Sequence, residues 1–174
     1  MKRKRIMVAG VGNIFLGDDG FGPEVIRRLL AEPPGDGVEI RDFGTGGLKL
    51  AYDLMQGYNA LVLVDAAKRG GAPGSLYVIE PEEAPISQDL MQGGPIDPHW
   101  TDTGTVLRFV KSLGAWPATV RIVACEPGAE ELAVGLTPPV QAAIDEAVGL
   151  VKSTIVEIQH EQGELAYERT GHTT

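Results

Sequence analysis

Two adjacent aspartates, Asp18 and Asp19, lie in the glycine-rich stretch GVGNIFLGDDGFG at residues 10–22. A third, Asp65, ends the apolar run ALVLVD, and His99 lies in DPHWTDTG. Asp19, Asp65 and His99 together offer carboxylate oxygens and one imidazole nitrogen. That set suits a borderline divalent metal and leaves coordination positions open for water or substrate. Asp18 and Asp19 are also the obvious carboxylates for general acid–base work on a bound water. Each residue has a plainer structural alternative. Asp18 can stabilise a helix N-terminus, Asp65 can cap the segment after its strand, and a lone loop histidine can be a surface residue.

Other chemistries fit the sequence less well. Gly10 and Gly12 match the first two positions of a G-x-G-x-x-G dinucleotide fingerprint, but Phe15 stands at the third, where its ring would obstruct close helix packing. The loop has no G-K-[ST], and two carboxylates at the turn would repel a pyrophosphate. G-x-S-x-G and H-E-x-x-H are both missing, and the only histidines are His99, His160 and His172. Cys125 is the sole cysteine and ends the apolar run TVRIVAC, which reads as a small buried thiol rather than a nucleophile. A single cysteine also excludes an internal disulfide and suits a cytoplasmic setting.

Short β-branched runs alternate with segments of helical period, which predicts βαβ units and a single three-layer α/β/α domain with a mostly parallel sheet. The expected strands are Arg5–Ala9, Val38–Phe43, Ala60–Asp65, Ser75–Ile79 and Thr119–Ala124. The expected helices are Pro23–Ala31, Gly47–Met55 and Thr103–Leu113, followed by a last helix. In that helix Val140, Ile144, Val148, Val151, Ile155 and Ile158 recur at steps of three and four, with Thr137 as N-cap and Pro138 in the first turn. The domain is expected over residues 1–160, with a polar, frayed tail over 161–174. In such a sheet, ligands collect at the carboxyl ends of strands, where the Gly10–Gly22 turn and Asp65 would lie.

The chain has 174 residues, 43% of them hydrophobic and 22% charged, enough for one domain with a sizeable core. Its formal net charge of -9 argues against nucleic acid or an anionic membrane surface as partner. The apolar runs are too short to span a bilayer, and no apolar signal region follows the basic Lys2–Arg5.

Read in order, GVGNIFLGDDGFGPEV, DFGTGG, LVLVDAA, DPHWTDTGTVL and GLTPPV resemble the nickel-iron hydrogenase maturation endopeptidases, over about Ile6 to Val151. The resemblance implies an endopeptidase that removes a short C-terminal extension from the nickel-loaded precursor of a hydrogenase large subunit. It places the nickel contacts on Asp19, Asp65 and His99, with the nickel supplied mainly by the substrate. Asp19 fits a position where members carry glutamate or aspartate. Asn13 can hold the loop or orient a peptide carbonyl. A second glycine motif falls on Asp42-Phe43-Gly44-Thr45-Gly46, with Phe43 in place of a glycine; Thr45 and Gly46 are the substrate contacts expected there. A monomer is expected, since a protein substrate must reach the crevice. The alternative is a non-catalytic assembly factor that keeps the fold and binds the same nickel site.

Overall fold

The computed structural model describes residues 5–81 and 103–170. Strand β1 (Ile6–Val11) is buried along its whole length, as is β3 (Ala60–Ala66) up to its last residue. Continuous burial is the signature of a parallel strand covered on both faces. The sheet has five strands in the order β2-β1-β3-β5-β4, with β2 spanning Val38–Gly44, β5 Thr119–Cys125 and β4 Leu76–Ile79. Pairs β1–β2, β1–β3 and β3–β5 are parallel, whereas β4 runs antiparallel on the edge beside β5. The β3–β4 connection has no room for a helical crossover, which a parallel strand would need.

Among the described residues four α-helices cover the sheet: α1 (Phe21–Leu29), α2 (Gly47–Leu54), α3 (Thr103–Ser112) and α4 (Pro138–Thr170). Side-chain alternation in the strands divides the core in two. Ile6, Val8, Val62 and Val64 face α1 and α4, where they meet Val25, Ile26, Val140, Ile144 and Val151. Met7, Ala9, Leu61 and Leu63 face α2 and α3, where they meet Leu50, Leu54, Val106 and Val110. The three-layer domain expected from the sequence is therefore present.

Several boundaries differ from expectation by a residue or two, β1 among them, which runs to Val11 rather than Ala9; two differences are larger or change the local structure. Helix α1 starts at Phe21, preceded by a 3-10 turn at Gly17–Gly20 that carries both vicinal aspartates. Helix α4 continues to Thr170, beyond Glu161 where the polar tail was expected to begin. Polarity does not end a helix: glutamate, glutamine, leucine, alanine and arginine are good helix formers and no proline interrupts the segment.

The strand order fixes where a site can form. Helix α1 leaves β1 toward β2 on one face, and α2 leaves β2 toward β3 on the other. The chain therefore reverses direction at the carboxyl ends of β1 and β3, and the loops there diverge to leave a crevice. The start of α1 is wedged over that point, because a Cβ at Gly22 would lie under 3.0 Å from the carbonyl oxygens of both Val11 and Val64. Gly12 has φ 137°, and a Cβ there would collide with the Asp19 carbonyl. The glycines thus let the acid turn fold tightly onto the strand ends. They also correct one expectation: the close helix–strand approach is made by Gly22, while Phe15 sits in the loop with its ring 59% exposed and obstructs nothing.

Candidate active site

The 3-10 turn packs on β3, so the aspartates after β1 and the aspartate of β3 are brought to one edge of the sheet. Asp65 is the sixth residue of β3, pairs in register with Ala124 of β5, and is 7% exposed. His99, the third expected metal contact, lies outside the described residues. Among the described residues no three His, Cys, Asp or Glu side chains form a metal cluster. Asp19 and Asp65 contribute carboxylate oxygens from adjacent strand ends, a donor chemistry compatible with a divalent cation carried in by another molecule.

The vicinal aspartates have opposite environments. Asp18 is fully buried, and its Oδ2 accepts hydrogen bonds from the Gly128 N–H at 2.7 Å, the Ala129 N–H at 2.9 Å and the Thr137 hydroxyl at 2.8 Å. Its Oδ1 accepts the Thr137 N–H at 2.7 Å. Burial alone would raise its pKa, but the donors of Ala129, Thr137 and Gly128 outweigh burial and hold the carboxyl below its ordinary range. Asp19 is half-buried, and its Oδ2 accepts one hydrogen bond, from the Asn13 N–H at 2.7 Å. Among the described residues its Oδ1 has no hydrogen-bond partner. Burial pushes the Asp19 carboxyl above its ordinary value; the Asn13 N–H opposes this, and the nearby Glu130 carboxylate adds to the rise.

This geometry separates the two carboxylates expected to share general-base work. Asp18 has both oxygens committed to backbone and hydroxyl donors. Among the described residues Asp19 has one oxygen without a hydrogen bond, and its pKa is shifted in the opposite direction. Asp18 lies in the turn directly before α1, where its charge suits the helix N-terminus as expected from sequence, but its hydrogen bonds are made elsewhere. Its donors belong instead to the segment between β5 and α4.

Of the remaining substrate candidates, Asn13 touches Asp19 directly through its N–H. Asn13 and Thr45 line one cleft of about 580 Å³, together with Phe15, Asp42 and Gly44. The Asn13 side chain holds the loop, its Oδ1 accepting the Phe15 N–H at 3.0 Å. Asp42 closes a similar local turn by accepting the Gly44 N–H at 2.8 Å. Gly46 follows as the residue before α2, its N–H donating to the Phe43 carbonyl at 2.7 Å. Phe43, the departure from the glycine motif, is 8% exposed and packs in the core against α2, so its ring does not enter the cleft. A second cleft of about 420 Å³ shares Ile14, Pro23 and Asp42 with the first and is also lined by Val134 and Leu136.

Several site-edge residues carried no distinctive sequence signal. Lys68, just after β3, pairs with Glu130 at 2.6 Å across the crevice edge. Glu126, just after β5, is 5% exposed and accepts the Arg69 N–H at 2.8 Å. That bond leads the interactions that hold the Glu126 carboxyl below its ordinary range. Cys125 is buried as expected, and burial, reinforced by Asp18, pushes its thiol up to about 11.

The comparisons with known proteins agree with this architecture. The family model described as hydrogenase maturation protease matches residues 23–154. The hydrogenase 2 maturation protease of Escherichia coli strain K12 is 34% identical over 157 residues, spanning 88% of this chain and 92% of that protein. Among solved structures, the E. coli hydrogenase maturating endopeptidase HybD superposes with a TM-score of 0.71 at 33% identity, covering 88% of this chain and 93% of the other. A hydrogenase 2 maturation peptidase from Thaumarchaeota archaeon SCGC_AB-539-E09 gives 0.65 at 34% identity, covering 87% and 98%. A family model that matches about three quarters of the chain, from α1 into α4, and a relative 34% identical over nine-tenths of its own length leave one assignment: the chain belongs to the hydrogenase maturation protease family, and it is a peptidase with a role in hydrogenase maturation.

Proposed function

We propose that this peptidase removes a short C-terminal extension from the nickel-loaded precursor of a nickel-iron hydrogenase large subunit. The observation that carries the reading is the split between Asp18 and Asp19 at the topological switch point of the sheet. One carboxylate is built into the fold, and its half-buried neighbour accepts a single described hydrogen bond, from Asn13, which lines an open cleft.

In this reading Asp19, Asp65 and His99 contact nickel that the substrate already holds, and the metal serves as the recognition element. A substrate-borne nickel supplies Lewis acidity and fixes the position of the segment next to it. Asp19 takes a proton from the attacking water as the water oxygen bonds to the scissile carbonyl carbon. The same proton then passes to the departing amine nitrogen as the C–N bond breaks. A carboxylate offers about four lone-pair sites, of which the Asn13 N–H occupies one, so metal contact and proton transfer can both fall on Asp19. Asn13, Thr45 and Gly46 hold the extended substrate segment along the cleft. The high pKa and burial of Cys125 support a water nucleophile over a thiolate. The proposal places the reaction in the cytoplasm, with the peptidase acting as a monomer.

The test is mass spectrometry of the precursor after incubation with this protein, with and without nickel in the precursor. Loss of the C-terminal extension only from the nickel-loaded form is the expected result. An intact precursor that still forms a complex would favour the assembly-factor alternative and overturn the peptidase assignment of this site.

A further inference from the structure

We propose that Asp18 is a positioning residue of the peptidase, which clamps the segment at residues 128–137 against the acid turn and so sets one wall of the site. The inference rests on the reading that Asp19 is the working carboxylate. Three donors converge on Asp18 Oδ2 and one on Oδ1, all between 2.7 and 2.9 Å. All four come from the stretch that links β5 to α4. Three are backbone N–H groups, which need partners once buried. Thr137 immediately precedes α4, and its carbonyl accepts the first intrahelical bond from the Gln141 N–H at 2.9 Å. Asp18 therefore fixes the start of the last helix as well as the loop that leads to it.

What the clamp positions explains why it bears on the site. Between the clamped ends the segment carries Glu130, which faces Asp19 and pairs with Lys68. It also runs beside the Asn13–Gly17 loop: Ala133 N–H donates to the Phe15 carbonyl at 3.0 Å, and Gly17 N–H to the Ala133 carbonyl at 2.9 Å. Phe15 and Val134, both exposed, line the two clefts, and Leu132 on the same segment is exposed as well. A loop of this length would sample many conformations without interior anchors. A buried carboxylate with four donors is a rigid anchor, the kind of supporting shell that holds a reacting group in register. The neighbouring acids divide the work: Asp18 orders the wall, and Asp19 faces the substrate.

The test compares Asp18→Asn, Thr137→Val and Val151→Ala, the last a core change in α4 away from the site. Amide hydrogen exchange is read at Gly128, Ala129 and Thr137, and kcat and KM are read on the nickel-loaded precursor at a temperature where each variant is folded. For Asp18→Asn the expected result is lost protection at those amides with β1 and β3 still protected, and a fall in kcat of about 10- to 100-fold. Thr137→Val should show a smaller effect of the same kind, and it carries the test should Asp18→Asn not fold. Val151→Ala should lower the melting temperature while leaving kcat within about twofold. Unchanged protection in the Asp18 variant, or an equal loss of kcat in Val151→Ala, would overturn the proposal. If the native protein does not cut the precursor, the peptidase reading of the site fails, and the exchange result alone decides whether the clamp exists.

Discussion

Replacing Gly22 with alanine should damage the site through the fold. The added Cβ would lie under 3.0 Å from the carbonyl oxygens of Val11 and Val64 and 3.0 Å from the Val11 nitrogen, whereas ordinary contact begins at 3.4 Å. All three obstacles are backbone atoms at the ends of β1 and β3, so no side chain can swing aside. The first turn of α1 must lift, and Phe21, Val25 and Ile26 must shift with it in the core. Overpacking of this kind costs up to about 3 kcal/mol. Replacing a helical glycine returns up to about 1 kcal/mol, leaving a net loss of about 2 kcal/mol. For a chain of this size that lowers the melting temperature by roughly 4–8 °C. Because Asp19 lies three residues before Gly22, a lift approaching 1 Å should also reduce cleavage by about 10²-fold. Thermal denaturation followed by circular dichroism, paired with precursor cleavage at a temperature where the variant is folded, measures both. Gly149→Ala is the control: it sits on the exposed side of α4 with no atom within 4 Å, and should gain roughly 0.5–1 kcal/mol. A Gly22→Ala protein with unchanged melting temperature and native cleavage would refute the wedge.

Other predictions concern charge and the site. Asp19 has a folded-state pKa above its ordinary 3.8, so its ionisation opposes folding as pH rises through that window and has no effect below it. Asp19→Asn should therefore melt higher than the native protein at neutral pH, converge with it below about pH 4, and lose about 10²- to 10⁴-fold in cleavage rate. Asp18 has the opposite sign: its contribution to stability is present above 3.8 and is lost as pH falls through its lower folded-state value, which acid titrations of native and Asp18→Asn proteins will display as a difference confined to higher pH. Asp65→Asn and His99→Ala should each abolish processing while the circular dichroism spectrum stays native; a folded variant of either that processes at the native rate removes that residue from the site. Cys125, buried with its thiol pushed up to about 11, should resist iodoacetamide at neutral pH until the chain is unfolded, as peptide mapping will show.

The parts of the fold that depend on local pattern were legible in the sequence. ALVLVD, short and rich in β-branched residues, read as a buried strand, and the three-and-four spacing of Val140, Ile144, Val148, Val151, Ile155 and Ile158 put the inner face of α4 in view. The place of Asp65 at the carboxyl edge of the sheet was legible from its position at the end of that run, whereas its assignment as a metal contact came from the family resemblance. The direction of β4 was not legible, since it is set by the short connection from β3 and by an edge position beside β5. Nor could the sequence separate Asp18 from Asp19. They are chemically identical neighbours, and what distinguishes them are donors 110 to 119 residues away, which only the folded chain brings to Asp18. Phe15 shows the same limit: its place in a glycine fingerprint suggested a blocked helix, but the 3-10 turn moves the helix start to Phe21 and the ring out of the way.

The most direct test of the central claim is the intact mass of a nickel-loaded large-subunit precursor after incubation with the native protein and, in parallel, with folded Asp19→Asn. The account predicts a precursor shortened at its C-terminus by the native protein, and a full-length precursor still held in complex by the variant. Equal shortening by both proteins would show that Asp19 is not the working carboxylate, and would contradict the account at its centre.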